Sequence, residues 1–339
     1  MTRPASRIAI LGAGAWGTAL ALSLARRGGH HLSLWAHDPE HAAQLAATRE
    51  NPRYLPGFTL PPEIVVTANL HDAIRDADII LCTTPSQSLR SVIQQIAPAL
   101  TPAQVLLSAS KGVEENTSLR MSQVIAQLCA NPIAVLGGPS FALEVAAAKP
   151  TAITIATAEE ALGKQLQDDF SSASLRVYRN DDIIGTELGG ALKNVIALAA
   201  GVVTGLQLNG DALGHNAAAA LITRGLAEMT RLTIACGGRG ETISGLSGIG
   251  DLVLTCTGGL SRNRSVGIEL GRGRKLAEIL AGLNGKVAEG VTTTAAALSL
   301  AQQHGVEMPI TEQMDAVLHH NKSPQAAIHE LMTRPGREE

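Results

Sequence analysis

Lys193 sits in the stretch Glu187-Leu188-Gly189-Gly190-Ala191-Leu192-Lys193-Asn194-Val195-Ile196, where its neighbours are apolar or very small. A glycine costs a helix of order 1 kcal/mol against alanine, so Gly189 and Gly190 imply a close approach that helix propensity alone does not explain. A lysine in such surroundings is expected to lose solvent, which draws its pKa down toward the range useful for proton transfer. The competing reading is a lysine whose stem snorkels to water.

Three further clusters could serve the same chemistry. Ser108-Ala109-Ser110-Lys111-Gly112 closes an apolar run. Ligands of open α/β sheets lie beyond the carboxyl ends of the strands, so Lys111 would face a cofactor crevice, although most lysines are merely solvated. Gly137-Gly138-Pro139-Ser140 ends another apolar run and leads into a helix start that includes Ala142. It could offer a backbone site for an anion or carbonyl, or Ser140 could simply cap the helix. Gly250-Asp251-Leu252 is followed by Ser261-Arg262-Asn263-Arg264. There a hydroxyl, a guanidinium fork and an amide gather at the positive end of a helix dipole, which suits a phosphate monoester. An N-cap beside a surface arginine would read identically.

These groups need a reactant, and the N-terminal segment Ile8-Ala9-Ile10-Leu11-Gly12-Ala13-Gly14-Ala15-Trp16-Gly17 indicates one. An apolar strand closes on G-x-G-x-x-G and a good helix former follows. Gly12 permits the tight turn, Gly14 lets backbone approach a pyrophosphate, and Gly17 lets helix pack on strand. The helix N-terminus then receives the phosphates. Twenty residues past Gly17, where an acid would bind the ribose of NAD, stands His37, with Asp38 next. Asp38 could take the ribose or cap the helix opening at Pro39. With His37 in place of an acid, nothing at that position repels a 2′-phosphate, so either NADP or NAD is expected to bind.

Strand-like runs at 7–11, 31–35, 64–67, 78–83, 104–109 and 133–137 alternate with helical stretches, and runs at 152–156 and 175–178 flank a helix at 159–170. Continuous apolar strands between helices imply a parallel sheet covered on both faces. From about residue 181 the strand pattern stops and Ala-, Leu- and Gly-rich helices follow. The fold class expected is α/β: a Rossmann-type, doubly wound, mostly parallel sheet, then an all-helical C-terminal domain. The expected boundaries are 1–182 for the dinucleotide-binding domain, 183–333 for the helical substrate-binding domain and 334–339 for a flexible tail.

A net charge of −3 argues against nucleic acid as a partner. The four cysteines form no C-x-x-C pair, which points away from metal or disulfides and toward a reducing, cytoplasmic setting. Met1–Pro4 leaves no room for a signal peptide, and no apolar run of membrane-spanning length lacks a charge or glycine. A small-molecule substrate is the partner expected. A homodimer is one reading of the small-residue-rich helices.

Taken together, Gly12–Leu20, Ser110–Gly112, Gly138–Ser140, Leu188–Asn194, Leu221–Met229, Gly248–Thr257, Ser261–Arg264, Val287–Gly290 and Gly305–Ile310 resemble the bacterial NAD(P)-dependent sn-glycerol-3-phosphate dehydrogenases. The resemblance runs in order along nearly the whole chain. It implies an oxidoreductase that interconverts dihydroxyacetone phosphate and sn-glycerol 3-phosphate, the phospholipid backbone. It implies Lys193 as the catalytic acid/base and Lys111 in contact with substrate and cofactor. Gly138, Ser140, Asp251, Ser261, Arg262 and Asn263 would surround the substrate, with Lys111 and Asn194 near the developing oxyanion. Ala15, Trp16, His37, Ala142, Arg262, Val287 and Glu289 would hold the cofactor. Ala15 stands where a serine is common, leaving only its backbone to serve, and the stretch Thr204–His215 is longer than the pattern. The rival enzyme class is a 6-phosphogluconate or β-hydroxyacid type dehydrogenase, but a second arginine for its carboxylate is not evident. A nucleotide-sensing regulator without turnover is the non-enzymatic rival.

Overall fold

The computed structural model describes residues 5–211, 213–283 and 287–336; Met1–Pro4 and residues 337–339 of the expected tail lie outside them. Among the described residues ten strands form: β1 (Ser6–Leu11), β2 (His30–Trp35), β3 (Glu50–Asn51), β4 (Leu55–Thr59), β5 (Ile64–Thr67), β6 (Ile79–Cys82), β7 (Val105–Ser108), β8 (Ile133–Gly137), β9 (Thr151–Ala156) and β10 (Leu175–Asn180). Eight of them make one sheet in the order β10-β9-β8-β7-β6-β1-β2-β5. Every neighbouring pair is parallel except β8 with β9.

The order reverses at β1, which pairs with β6 on one side and β2 on the other. Ligands of doubly wound sheets bind at that switch point, beyond the strands' carboxyl ends. The glycine loop follows β1 there. β6 and β7 are buried along their whole length, which is why they read as unbroken apolar runs rather than alternating ones. The separate antiparallel ribbon β3–β4 was not anticipated, because Pro52, Pro56 and Gly57 interrupt any strand-like period there.

Contacts divide the chain into two units, Met1–Lys111 with Arg120–Glu187, and Gly112–Leu119 with Leu188–Glu339. The second is built on the helix Ile183–Leu208, whose residues 185 to 203 are all buried. By length and hydropathy this helix would qualify as a membrane span, yet here it is a core helix. It crosses the helix Arg262–Gly271 at glycines on both sides. A Cβ on Gly201 would lie 2.2 Å from the Arg264 carbonyl oxygen, and one on Gly267 would lie 2.0 Å from that of Leu198. Gly205 and Gly271 repeat the arrangement one turn on, at 2.1 Å from the Ile268 oxygen and 2.4 Å from the Val202 oxygen. Backbone packs directly on backbone.

Glu228, on the helix His215–Ala235, is buried and accepts the N–H groups of Ile310 at 2.6 Å and Thr311 at 3.3 Å, at the start of the helix Pro309–His319. Burial pushes its carboxyl up to about 7, against the pull of those N–H groups, the Thr311 hydroxyl and Arg231. The folded state therefore binds this proton more tightly than the unfolded chain. The group's contribution is full below about pH 4.5 and declines as pH rises toward 7, by up to about 1.4 kcal/mol per pH unit. Glu228→Gln should remove that slope in urea melts run from pH 4.5 to 8. Parallel curves for variant and parent would refute the assignment.

Candidate active site

In the first unit the glycine loop divides its labour residue by residue. Gly12 has φ +124°, and a Cβ on Gly17 would lie 2.0 Å from the Gly12 carbonyl oxygen, so both positions exclude a side chain. A Cβ on Gly14 would meet nothing within 4 Å. Gly14 caps the helix Ala15–Arg27 without a side-chain hydrogen bond, and the first turn carries no acid. Open space in front of unsatisfied N–H groups at a positive dipole end fits a pyrophosphate. Thr83, just past β6, secures the loop by donating to the carbonyls of Leu11 at 3.1 Å and Gly12 at 3.0 Å. Neither this threonine nor Asn51, which donates to the Ala13 carbonyl at 2.9 Å, is marked by any local motif.

His37 is exposed and meets Trp35 edge-on at 5.7 Å between ring centroids. Of the two readings of Asp38, the helix cap is the one observed: Oδ1 accepts the Glu40 N–H at 3.0 Å. Its Oδ2 lies 3.8 Å from Arg53.

Lys111, beyond β7, donates from Nζ to the Gly138 carbonyl at 3.0 Å, and Ser140 donates to the same oxygen at 3.0 Å. The structure thus brings Lys111, Gly138 and Ser140 together at the ends of adjacent strands. Ser140 is not a helix cap; Phe141 holds that position before the helix Ala142–Ala146.

The second unit gathers the other group. Lys193 is 7% exposed, and its Nζ donates to Asp251 Oδ1 and, at 2.9 Å, to Thr255 Oγ1. Asp251 is 1% exposed. A charge buried this deeply persists only when paired and hydrogen-bonded, and here both conditions are met. Asp251 opens the helix Asp251–Thr257 directly after a π-helical turn, Leu246–Gly250. Single π turns often mark functional positions. Gly189 explains itself at the same point, since a Cβ on it would lie 2.3 Å from the Ser247 carbonyl oxygen. Thr255, four residues after Asp251 on the same helix, is a lysine partner that no local motif marks. The nearby Cys256 thiol is pushed up to about 12 by burial, although Lys193 and Arg264 pull it down, so it is no nucleophile.

Ser261 caps the helix Arg262–Gly271, its Oγ accepting the Arg264 N–H at 3.2 Å. Asn263 turns inward, donating to Asn194 Oδ1 at 2.8 Å and accepting the Gly290 N–H at 3.0 Å. Arg262 keeps its surface open to solvent, yet the protein mass around it lowers its guanidinium from the ordinary value, with the Glu289 carboxylate opposing. It remains charged at any ordinary pH. Glu289 is the first residue of the helix Glu289–Gln303, and Val287 is exposed just before it. The amide chain Asn194–Asn263–Gly290 therefore ties three helix segments that carry Lys193, Arg262 and Glu289.

A family model described as the N-terminus of NAD-dependent glycerol-3-phosphate dehydrogenase matches residues 7–163, and one described as the C-terminus matches residues 182–329. The chain is 56% identical over 338 residues to a Koribacter versatilis protein named glycerol-3-phosphate dehydrogenase, NAD(P)+ type, covering 98% of this chain and 99% of that one. It is 57% identical over 342 residues to the protein of that name from Acidobacterium capsulatum, covering 98% and 100%. A solved glycerol-3-phosphate dehydrogenase from Coxiella burnetii superposes with a TM-score of 0.93 at 41% identity, covering 98% of this chain and 100% of that one. These matches favour this activity over a β-hydroxyacid or 6-phosphogluconate type.

Proposed function

The chain belongs to the NAD-dependent glycerol-3-phosphate dehydrogenase family, and on that premise we propose that Lys193 is the proton donor when dihydroxyacetone phosphate is reduced to sn-glycerol 3-phosphate. Bound NADPH or NADH supplies the hydride. Lys193 then gives a proton from Nζ to the alkoxide forming at C2, and takes it back in the reverse direction. The observation that carries this reading is the burial of Nζ on Asp251 and Thr255. Those two partners leave the ammonium held in one place with its charge balanced.

Asp251 compensates and aims the lysine. Asn194 has its carbonyl oxygen taken by Asn263 and one N–H turned to Gly190 at 3.3 Å, so we assign it to positioning as well. Lys111, Gly138 and Ser140 form a polar group suited to the substrate's hydroxyl and carbonyl oxygens, with Lys111 reaching the coenzyme too. The glycine loop with Ala15 and Trp16 takes the pyrophosphate through backbone N–H groups, and His37, Ala142, Val287 and Glu289 complete the coenzyme's surroundings. Ser261 and Asn263 hold the helix whose open side chain is Arg262. That guanidinium clamps the substrate phosphate, and this remote binding energy orients C2 for reaction. The setting we propose is cytoplasmic synthesis of the phospholipid backbone.

Loss of NADPH absorbance with dihydroxyacetone phosphate, against a panel of 2-keto and 3-keto acids, tests the substrate. Turnover of a keto acid in preference to the phosphorylated ketone would overturn it. Arg262→Ala should raise KM for dihydroxyacetone phosphate by about 10- to 100-fold, the worth of a charge-assisted hydrogen bond. It should change KM for unphosphorylated dihydroxyacetone far less; equal effects would remove the clamp.

A further inference from the structure

The functional reading gives the ribbon β3–β4 no contact with substrate or coenzyme. Its side chains form a connected path from the glycine loop outward. Asn51 is fully buried, and its amide is fixed in one orientation because Nδ2 must donate to the Ala13 carbonyl at 2.9 Å. The second Nδ2 hydrogen reaches Thr18 Oγ1 at 2.8 Å, in the first turn of the helix Ala15–Arg27. Its Oδ1 accepts from His41 Nε2 at 3.1 Å. His41 packs on the Tyr54 ring at 5.4 Å, and the Arg53 guanidinium stacks over that ring at 5.1 Å. The turn between β3 and β4 is thereby pinned to the pyrophosphate loop at one end. At the other it presents Arg53 beside Asp38, one residue past His37, where the ribose end of a dinucleotide falls in this fold.

We propose that Arg53 is the specificity-determining residue that lets this site accept the 2′-phosphate of NADP. Two observations give it the role. Asp38 has committed Oδ1 to the helix cap, so only Oδ2 faces outward, and that oxygen is the one 3.8 Å from Arg53. The guanidinium is half-exposed, with donors to spare for a second anion, and its planar fork matches a phosphate. With NADP bound, Arg53 holds the 2′-phosphate and offsets the repulsion from Asp38. With NAD bound, Arg53 stays on Asp38, and the same Oδ2, which can accept a second hydrogen bond, takes one from the ribose hydroxyl. One arginine–aspartate pair thus serves either coenzyme.

The inference rests on the reading that the glycine loop holds a dinucleotide, and binding measurements separate the two. Kd values for NADPH, NADH and 2′,5′-ADP are measured on the intact protein by calorimetry, for the parent, Arg53→Gln and Asp38→Asn. Failure of the parent to bind either dinucleotide would overturn the coenzyme reading itself. If both bind, Arg53→Gln should raise the ratio of NADPH to NADH Kd at least about tenfold and weaken 2′,5′-ADP in step. Asp38→Asn keeps a good cap residue while deleting the charge, so it should shift the ratio toward NADPH. The parent's ratio should also rise with salt, since an exposed pair is screened. A ratio that moves less than tenfold in Arg53→Gln overturns the proposal.

Discussion

Lys193→Ala is expected to lower kcat by about 10²- to 10⁴-fold while leaving NADPH affinity nearly unchanged, the signature of a lost proton donor. The variant also strands the Asp251 carboxylate, which is 1% exposed. An uncompensated buried charge costs about 3–5 kcal/mol, so the variant's stability must be followed alongside its rate. A second variant, Lys193→Met with Asp251→Asn, removes both charges and fills the space. It should regain most of the stability and none of the turnover. Kinetics, coenzyme titration and urea melts on both proteins decide the matter. If either variant keeps kcat within tenfold of the parent, Lys193 is not the acid.

Gly267→Ala is expected to destabilise the second unit by about 2–4 kcal/mol, even though alanine gains about 1 kcal/mol of helix propensity over glycine. The added Cβ would sit 2.0 Å from a backbone oxygen of the facing helix. No rotamer relieves such a clash, so the two helices must separate. Separation moves the start of the helix Arg262–Gly271, and with it Arg262, so KM for the phosphorylated ketone should rise too. Gly259→Ala is the control, because a Cβ there meets nothing within 4 Å; its effect should stay within about 0.5 kcal/mol. Equal melting behaviour of the two variants would show that the glycine contact is dispensable.

The parts of the site that were legible in the sequence are those whose physics is local. Gly12, Gly14 and Gly17 act on backbone within a few residues, so their spacing alone announces their roles. Buried parallel strands announce themselves for a similar reason, since burial on both faces leaves a continuous apolar run. Asp38 was ambiguous because a cap and a ribose contact demand the same residue at the same place; only the Glu40 N–H decides between them. Thr83, Asn51 and Thr255 were invisible, since each reaches its partner through strand pairing or helix crossing from distant sequence. The ribbon β3–β4 was hidden by its prolines, and the π turn before Asp251 by a sequence that reads equally well as ordinary helix. Gly189 was legible only as a question, whose answer is the Ser247 carbonyl.

The helix Ile183–Leu208 carries a further burden during biosynthesis. The chain emerges from the ribosome N-terminus first, at about 5–20 residues per second, so this greasy rod is complete before the segment Arg262–Gly271 that will shield it exists. For several seconds the nascent polypeptide displays a surface as oily as a lipid-embedded segment. Chaperone capture and sticking to fellow nascent chains are the hazards of that interval. A truncation ending shortly after Leu208 should accordingly precipitate or cling to trigger-type holdases, whereas the full-length product escapes both.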